Sequence, residues 1–424
     1  MKLKIVLSGI LIAVIFCWQA GAQIYDTNGA YVQTFVGSAF SGYVDGVGQN
    51  TMFNHPSSVT ADSHGNLYVW DAGNYRFRKV TPDGTVTTFV GGGSYNTGYG
   101  TNVNLAPLSQ GGCHFFTKND VIYYGSKASE SSTEIFMLFT NGYLTNFTVS
   151  MSYDADWYGE YVGVVLDSKG NIYFNSKGEN RVYEISTNGA ISVFAGSGNA
   201  GHTDGWGIFS SFNKPTCLAI DQADNIYVWD FYNSLLRRID PNQNVTTLAG
   251  KLAYGANITI DGTGTNAGLG QPDTLIFDNQ GNLYLSGGSA IRRMDSQTNV
   301  TTVAGDFGDY GYTNGIGRLA RFWGADGFCI YENTIYVADS GNNRIRSITN
   351  NSVPQIVSAA NLGIGTFAGL TMTGTVGRTY QIQSSPDMNT WTTVATVLLN
   401  SSPFLWIDQH PISGNKFYRA YLLP

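Results

Sequence analysis

Charged side chains are scarce in this chain of 424 residues. Lys and Arg together number 23 and Asp and Glu number 30, so only 12% of the residues are charged. A typical soluble domain has about 25%, and the shortage argues against a coiled coil, a helical bundle or a charged disordered chain. The formal net charge of −7 argues against general nucleic-acid binding, because that affinity comes largely from Lys and Arg at phosphates.

Long apolar runs are also missing, apart from one at the N terminus. Lys2 and Lys4 precede an apolar run over residues 5–18, and the small residues Ala20-Gly21-Ala22 follow it. This pattern predicts a cleaved signal peptide over residues 1–22, with a retained signal anchor as the alternative. The run is shorter than the ~20 residues of a membrane-spanning helix. We therefore predict an exported protein without a membrane span, either secreted, periplasmic or on the cell surface.

Cysteine is rare, with four residues in the whole chain. Cys17 leaves with the predicted signal peptide, and the remaining three cannot all pair within one chain. The sequence has no Cys-x-x-Cys motif and no Cys/His cluster with the spacing of a zinc site. Because Cys113, Cys217 and Cys329 all fall on apolar β segments, we expect them to be buried thiols.

Glycine and tyrosine are abundant, at 52 and 26 residues, which favours short strands and tight turns. A short apolar segment that ends in tyrosine recurs six times. These tyrosines lie 55, 50, 54, 57 and 52 residues apart, at Tyr68, Tyr123, Tyr173, Tyr227, Tyr284 and Tyr336. The first unit has strand patterns at 58–61, 66–70, 76–80 and 85–90. Four antiparallel strands every ~50 residues are typical of β-propeller blades.

A second recurring segment fixes how the ring closes. It reads Val-Gln-Thr-Phe-Val-Gly at residues 32–37, before the first tyrosine segment, and it is missing after the sixth. The strand over 31–37 is therefore predicted to complete the last blade as its outer strand, which leaves no open edge between the two ends of the ring. The fold class that follows is all-β, with a six-bladed β-propeller over residues 23–350 closed by its N-terminal strand.

The repeated units resemble NHL repeats of the bacterial exported type over about residues 30–350. The resemblance implies a six-bladed propeller, most often a binding platform, with amidating lyases and lactonases as a minority. Blade two departs most from the pattern, and blade three keeps only Asn180-Arg181 of the Asp-x-x-Asn-x-Arg motif. The residues that carry the resemblance are Phe212-Asn213-Lys214-Pro215, Leu218-Ala219-Ile220-Asp221, Asn225-Ile226-Tyr227-Val228, Val245 to Gly250, Asp71 to Arg76 and Asp339 to Ile345.

The loops between blades carry a repeated Asp-Gly or Asn-Gly motif, at Asp45, Asp204, Asp261 and Asn314. We predict that these loops fold on themselves through bonds from side chain to backbone. We likewise predict that the repeated Asp-x-x-Asn-x-Arg motif ties hairpins together by charge-assisted hydrogen bonds. The functional alternative is a ring of loops that decorates one face and binds a partner. Seven aromatic residues of these loops fit such a face: Tyr43, Tyr95, Tyr99, Trp206, Phe307, Tyr310 and Tyr312.

A polar row is predicted where the innermost strands begin. Counting 13 residues back from the first five tyrosines gives a polar residue each time, and the sixth blade has Gly324 after one deletion. The row two residues later adds Asp273 and Asp326, the best carboxylate pair for acid–base or calcium chemistry; the structural alternative is that both cap turns or face water. The polar residues of the first row are His55, Gln110, Glu160, Lys214 and Gln271.

These rows weigh against a metalloenzyme. His114 aligns with an apolar packing row, so we expect a core histidine there. The amidating-lyase relatives use a zinc-binding histidine triad, which this sequence does not supply. The lactonase relatives use a Glu/Asn/Asp calcium set, for which only Glu160, Asp273 and Asp326 are candidates. No cofactor is predicted, and calcium is the one metal left open.

The last 70 residues are predicted to form a second module over 354–424. Alternating segments and turns suggest a small antiparallel β-sandwich of five to seven strands. The pattern around residues 377–391 resembles a C-terminal module of exported bacterial proteins. Trp391, Trp406 and Tyr418 are expected to form its core, with a carbohydrate-stacking platform as the alternative.

The function predicted from these features is binding rather than catalysis. We expect an exported monomeric propeller that engages a protein, peptide or carbohydrate ligand through its inter-blade loops, with no catalytic or metal-binding residues assigned. The alternative is a metal-dependent hydrolase or lyase at the propeller axis. The predicted ligand-binding residues are His55, Glu160, Lys214, Trp206, Asp273, Tyr310 and Asp326.

Overall fold

Strands make up nearly all of the regular structure. The computed structural model describes residues 29–91, 115–129, 132–150, 162–253 and 259–350, and further segments at 355–362, 365–372, 375, 378–385, 390–399, 404–407 and 417–423. The predicted signal peptide, Glu160, His114, Cys113, Tyr95 and Tyr99 lie outside the described residues. Within them, no helix is both long and apolar enough to cross a membrane.

The first half of the chain builds β1 and three blades. The strands are β1 Ala30–Val36; in blade one, β2 Gly46–Val47, β3 Pro56–Ala61, β4 Leu67–Asp71, β5 Arg76–Val80 and β6 Thr85–Gly91; in blade two, β7 Phe116–Lys118, β8 Val121–Ser129, β9 Ser132–Phe139 and β10 Leu144–Ser150; in blade three, β11 Val164–Leu166, β12 Ile172–Ser176, β13 Arg181–Ile185 and β14 Ile191–Ala195.

The second half continues the pattern. The strands are, in blade four, β15 Gly205–Trp206, β16 Pro215–Ile220, β17 Ile226–Asp230, β18 Leu235–Ile239 and β19 Asn244–Ala249; next to and in blade five, β20 Thr259–Ile260, β21 Gly262–Thr263, β22 Gly268–Leu269, β23 Thr274–Phe277, β24 Leu283–Gly287, β25 Ala290–Met294 and β26 Asn299–Gly305; in blade six, β27 Gly315–Ile316, β28 Ala325–Tyr331, β29 Thr334–Asp339 and β30 Arg344–Asn350.

Six antiparallel sheets among the described residues are the blades of an all-β propeller. Their innermost strands contact one another in the order β3, β7, β11, β16, β23, β28 and back to β3, so the ring is closed. β1 pairs antiparallel with β30 of blade six, from Ala30 opposite Asn350 to Val36 opposite Ile345. The outer strand of the last blade thus comes from the N-terminal end, as the phase of the repeat predicts.

The core consists of six apolar clusters, one between each pair of neighbouring blades. Trp229 of blade four, for example, packs with Leu275 and Leu285 of blade five. Because a blade has two faces and both are covered, its second strand is a nearly continuous apolar run in blades one and four. Leu67 to Asp71 are all buried. Burial of apolar area between blades is therefore the main force that holds the ring together.

The turn before each repeated tyrosine explains why aspartate, glycine and tyrosine recur at fixed spacing. In the first turn, Asp62 accepts hydrogen bonds from the backbone N–H of His64 (3.0 Å) and Asn66 (2.8 Å). The phenol of Tyr68 donates to the same carboxylate at 3.2 Å. Gly65 takes the left-handed conformation, with φ +78°, which glycine adopts without strain. Tyr173 and Tyr227 repeat the bond to Asp167 and Asp221.

The C-terminal segments form two three-stranded antiparallel sheets. Trp406 of one sheet packs against a cluster that contains Tyr380, Ile382 and Tyr418 of the other. Trp391 carries the guanidinium of Arg419 over its ring at 4.3 Å. Tyr418 is buried in this cluster and Trp406 is partly buried against it, while the small sandwich and the module boundary at 354 stay predictions. The strands are β31 Gln355–Leu362, β32 Gly365–Met372, β33 Thr379–Ser385, β34 Thr392–Leu398, β35 Phe404–Ile407 and β36 Phe417–Leu422.

Candidate functional site

The inter-blade loops are anchored by buried arginines. Arg237 of β18 donates to Asp230 at 2.9 Å and to Asp204 at 2.7 Å, and it also binds the carbonyls of Thr203 and Ser211, both at 3.0 Å. The side chains of Arg237 and Asp230 are both fully buried. One guanidinium thus joins the end of β17 to both arms of the loop that leads into blade four.

A similar arrangement recurs in three other blades, although the second strand of blade five ends in Ser286-Gly287 and has no aspartate for its arginine. Arg78 binds Asp71 and Asp45, Arg346 binds Asp339 and Asn314, and Arg292 binds Asp261. The loop aspartates also accept hydrogen bonds from outer-strand threonines Thr88, Thr247 and Thr302. The carboxylates of the Asp-Gly motifs are therefore engaged by an arginine and by the outer strand of the blade, whereas the prediction from sequence is that each loop folds on itself.

The arginine that pairs with the strand-end aspartate is not the one in the repeated motif. Asp71 accepts from Asn74 and from Arg78, which lies two residues beyond the Arg76 of the motif. Arg76 instead stacks on Tyr43, with its guanidinium carbon 3.9 Å from the ring centroid. The expected charge-assisted bonds exist, but they use the next arginine on the same face of the strand.

Two aromatic residues of the inter-blade loops, Tyr43 and Tyr312, stack on arginines and are held by the fold. Tyr43 also shares a hydrogen bond with Thr88, and Tyr312 stacks on Arg344 at 3.6 Å and bonds Thr34. They are poor candidates for ligand contact, since their faces and hydroxyls are occupied. Phe307 is partly buried.

Trp206 and Tyr310 remain available, because 51% and 54% of their surfaces are exposed. Trp206 lies on the short edge strand β15, with the Phe209 ring 6.1 Å away. Ile208 and Phe209 of the following 3₁₀ turn are also exposed. Together, Trp206, Ile208 and Phe209 form an apolar patch on the outer edge of blade four.

The mouth of the central channel lies where the innermost strands begin. His55 and Lys214 precede β3 and β16, and both have left-handed backbones, with φ of +49° and +55°. The N–H of His55 donates to Asn343 (3.0 Å), and that of Lys214 donates to Asn180 (2.8 Å). Each asparagine belongs to the preceding blade, so neighbouring blades position these residues. The ammonium of Lys214 lies over the Tyr232 ring at 4.9 Å.

Asp273 and Asp326 stand near the same mouth, on neighbouring blades five and six. Burial raises the pKa of Asp273 well above its ordinary value, and the negative charge of Asp326 raises it further. Burial also raises the pKa of Asp326, a shift that its hydrogen bond with Ser340 and the nearby His55 oppose. Both carboxyl groups therefore retain protons more readily than free aspartate does.

The structure thus brings His55, Asp273 and Asp326 together on three consecutive blades, with Lys214 on the next one. It leaves Trp206 on the outer edge, away from this mouth. No group of three or more His, Cys, Asp or Glu side chains suited to holding a metal ion occurs among the described residues. What the mouth offers is a pair of carboxyl groups, an exposed imidazole and an ammonium.

Comparison with known proteins supports this architecture. No protein-family profile matches the chain. Over 333 residues the chain is 26% identical to NHL repeat-containing protein 2 of Homo sapiens. The alignment covers 74% of this chain and 42% of that protein. Two solved structures from Bacteroides thetaiotaomicron VPI-5482 also share the fold. They are a structural genomics protein of unknown function (TM-score 0.57) and an auxiliary nutrient binding protein (TM-score 0.56). Each is 18% identical to this chain, and each alignment covers 76% of both chains.

The repeats of the ring are similar to those of an NHL repeat-containing protein. The chain spans less than half the length of the curated relatives that it matches. At 18% identity, the two solved structures show the fold alone.

One exposed residue of this propeller is not among those predicted from the sequence. Trp323 is 58% exposed and occupies the place of Asn54 and Asn213 in blades one and four. All three backbone N–H groups donate to the strand-end aspartate of their blade, at 2.6–2.8 Å. Because this contact uses only the backbone, the side chain is free to vary. Alignment of the residues before β3, β16 and β28 could have shown the substitution.

Proposed function

We propose that the chain is an exported, non-catalytic binding propeller that engages a protein, peptide or carbohydrate ligand through its inter-blade loops. The observation that carries the proposal is the combination of anchored loops with exposed aromatic side chains. Trp206, Tyr310 and Trp323 are each more than half exposed, although the loops that bear Trp206 and Trp323 are joined to buried Arg237 and Asp339.

The physical reason is that anchoring reduces the entropy cost of binding. A loop that is already held by its arginine loses little freedom when a ligand docks on it. Tyr and Trp then supply a large contact area with few rotatable bonds, which is why they are enriched at the centres of interfaces. Export is the expectation from residues 1–22 of the sequence.

The description of one structural neighbour as an auxiliary nutrient binding protein adds support for a binding role. A shared fold does not transfer a ligand, so the support extends to the class of function and no further. The exposed aromatics and the polar channel mouth together suit ligands with both apolar faces and hydroxyl or amide groups. Carbohydrates and peptides have this character.

The test uses single substitutions of exposed aromatics. The purified chain and its Trp206→Ser and Tyr310→Ser variants are screened on glycan and peptide arrays, and each hit is titrated. Removal of an aromatic at the centre of an interface costs about 2 kcal/mol or more, roughly a 30-fold loss of affinity. Tyr143→Ser is the matched control, because Tyr143 is exposed in a turn of blade two, outside these loops. Equal affinities for all four proteins would overturn the proposal.

A second candidate function is favoured by the carboxyl pair at the channel mouth. Asp273 and Asp326 have raised pKa values because they are buried, as general acids often do. This arrangement would suit a metal-dependent hydrolase or lyase of the lactonase or amidating-lyase type. Elemental analysis distinguishes the two: stoichiometric zinc or calcium, lost in Asp273→Asn with Asp326→Asn, would favour the enzyme. Metal that is absent, or lost only with Asp204→Asn, would favour the binding protein.

A further inference from the structure

The inner strands surround a partly open cavity on the propeller axis, apart from the loop face and its exposed aromatics. Its volume is about 240 Å³, and residues of all six innermost strands or their flanks line it. One apolar residue from each blade shows the character of the wall: Ala61, Phe116, Val165, Ile220, Phe277 and Ile330. No charged side chain lines the cavity among the described residues.

The polar side chains in the wall are already engaged. Thr60 and Thr117 share a hydrogen bond with each other at 2.6 Å, and Thr274 donates to the carbonyl of Asp326 at 3.2 Å. The one remaining side chain with a polar atom is the thiol of Cys329, a weak hydrogen-bonding group. The side chains therefore offer a ligand mostly apolar contact.

The backbone adds a second kind of contact. In the described residues, each innermost strand is the last strand of its sheet, so only one of its edges pairs with another strand. The other edge presents N–H and C=O groups, which require hydrogen-bonding partners when they are removed from bulk water. A cavity bounded by such strands combines apolar walls with backbone donors and acceptors.

We infer that the axial cavity is a binding site for a small neutral molecule that combines an apolar ring with one or two hydrogen-bonding groups, such as a phenol. An apolar cavity of about 150 Å³ is large enough for benzene, so 240 Å³ accommodates a substituted ring. A charged ligand is disfavoured, because no side chain here would compensate for its loss of hydration. The inference is independent of the proposed loop-face ligand.

Three probes of similar shape test this chemistry on the full chain by calorimetry and NMR. Phenol is expected to bind, benzene about 2- to 10-fold more weakly because it lacks the net benefit of one hydrogen bond, and benzoate not measurably. The inference is overturned if phenol does not bind, or if benzoate binds as well as phenol. Trp206→Ser should leave phenol binding unchanged, which separates this site from the proposed function.

A variant that fills the cavity locates the site. Ala61→Leu adds three carbon atoms in the cavity wall and should reduce phenol affinity at least 10-fold. Ala223→Leu is the matched control, since Ala223 lies in an exposed turn. Far-UV circular dichroism and thermal unfolding check that both variants fold. Undiminished phenol affinity in a folded Ala61→Leu protein would contradict the location.

The two buried thiols provide a test on the unmodified protein. Cys329 lines the cavity and Cys217 does not. Burial raises the pKa of both thiols, so both should react slowly. Methylmercury chloride forms a mercury–sulfur bond and releases the thiol proton and chloride, and peptide mass spectrometry reports each site. Saturating phenol should slow the reaction at Cys329 several-fold and leave Cys217 unchanged; equal rates with and without phenol at Cys329 would contradict the inference.

Discussion

Arg237 binds two aspartates that differ in burial, and this difference makes a sharp prediction. Asp230 is fully buried, whereas 49% of the Asp204 side chain is exposed. Asp230 also accepts the N–H of Asn213 at 2.6 Å and the side-chain amide of Asn233 at 2.7 Å. Replacing either aspartate by alanine removes a carboxylate from the same guanidinium, so the comparison sets a buried carboxylate against a partly exposed one around a single cation.

The expected costs in the free energy of unfolding are far apart. Asp230→Ala leaves a buried guanidinium short of a countercharge and deprives two N–H donors of their acceptor, which costs about 3–5 kcal/mol. Asp204→Ala breaks a partly exposed pair, and exposed pairs contribute about 0–1 kcal/mol. Asp204 also accepts two hydrogen bonds from Thr247, so we place its cost near the upper end of that range.

Urea unfolding at neutral pH, followed by circular dichroism, measures both costs. Asp71→Ala and Asp45→Ala provide a replicate around Arg78, where Asp71 is fully buried and 45% of the Asp45 side chain is exposed. The reasoning would be refuted if the exposed aspartate cost as much as the buried one in both blades.

Asp204→Ala also tests the link from the anchor to the loop. Arg237 would keep its bonds to the carbonyls of Thr203 and Ser211, while the chain near Trp206 would lose its tie to Thr247. Hydrogen exchange should therefore rise in residues 203–207 and stay unchanged in the buried strand β17. Unchanged exchange in the loop would mean that the carboxylate does not hold it.

Three further predictions follow from single features of the ring. Deletion of β1 (Ala30–Val36) should expose the outer edge of β30 and cause aggregation, measured by light scattering; a monomeric, equally stable product would contradict the role of β1. Asp273→Asn should raise the unfolding midpoint at pH 8. Burial and the charge of Asp326 raise the pKa of Asp273 in the folded state, so the stability that the protonated carboxyl contributes at low pH is lost as the pH rises. The increase in the midpoint should shrink by pH 4, and an increase independent of pH would contradict this prediction. Tyr68→Phe should lower the free energy of unfolding by about 0.5–1.5 kcal/mol, since the phenol donates to Asp62, and no measurable change in urea unfolding would contradict this reading of the repeat.

The blades were predictable from sequence because their information is local and repeated. Spaced tyrosines marked each second strand, and the displaced segment at residues 32–37 predicted the pairing of β1 with β30. The partner of Asp71 was not predictable in the same way. Arg76 and Arg78 lie on the same face of β5, and the carbonyls of Val44 and Met52 bind Arg78. That choice depends on a loop more than 25 residues away.

The channel mouth was predictable in part. Counting back from the tyrosines identified the positions of His55 and Lys214, whose backbones share a left-handed conformation. The electrostatic coupling of Asp273 to Asp326 depends on the packing of blade five against blade six, which brings two segments that are far apart in the sequence side by side. Trp323 was overlooked because it aligns with Asn54 and Asn213, one residue before the row that the count identified.

The features that recur and the features that differ have separate roles in this propeller. A strand-end aspartate binds a buried arginine in blades one, four and six, and a loop aspartate binds the arginine in blades one, four and five, because these blades hold their loops in the same way. A ligand on the loop face contacts only part of the ring, so the proposed binding function requires departures from that symmetry. Such departures include Trp323 in place of asparagine and the apolar patch around Trp206. At these positions the fold uses the backbone alone or makes no demand on the side chain, and substitutions there should change binding more than they change stability.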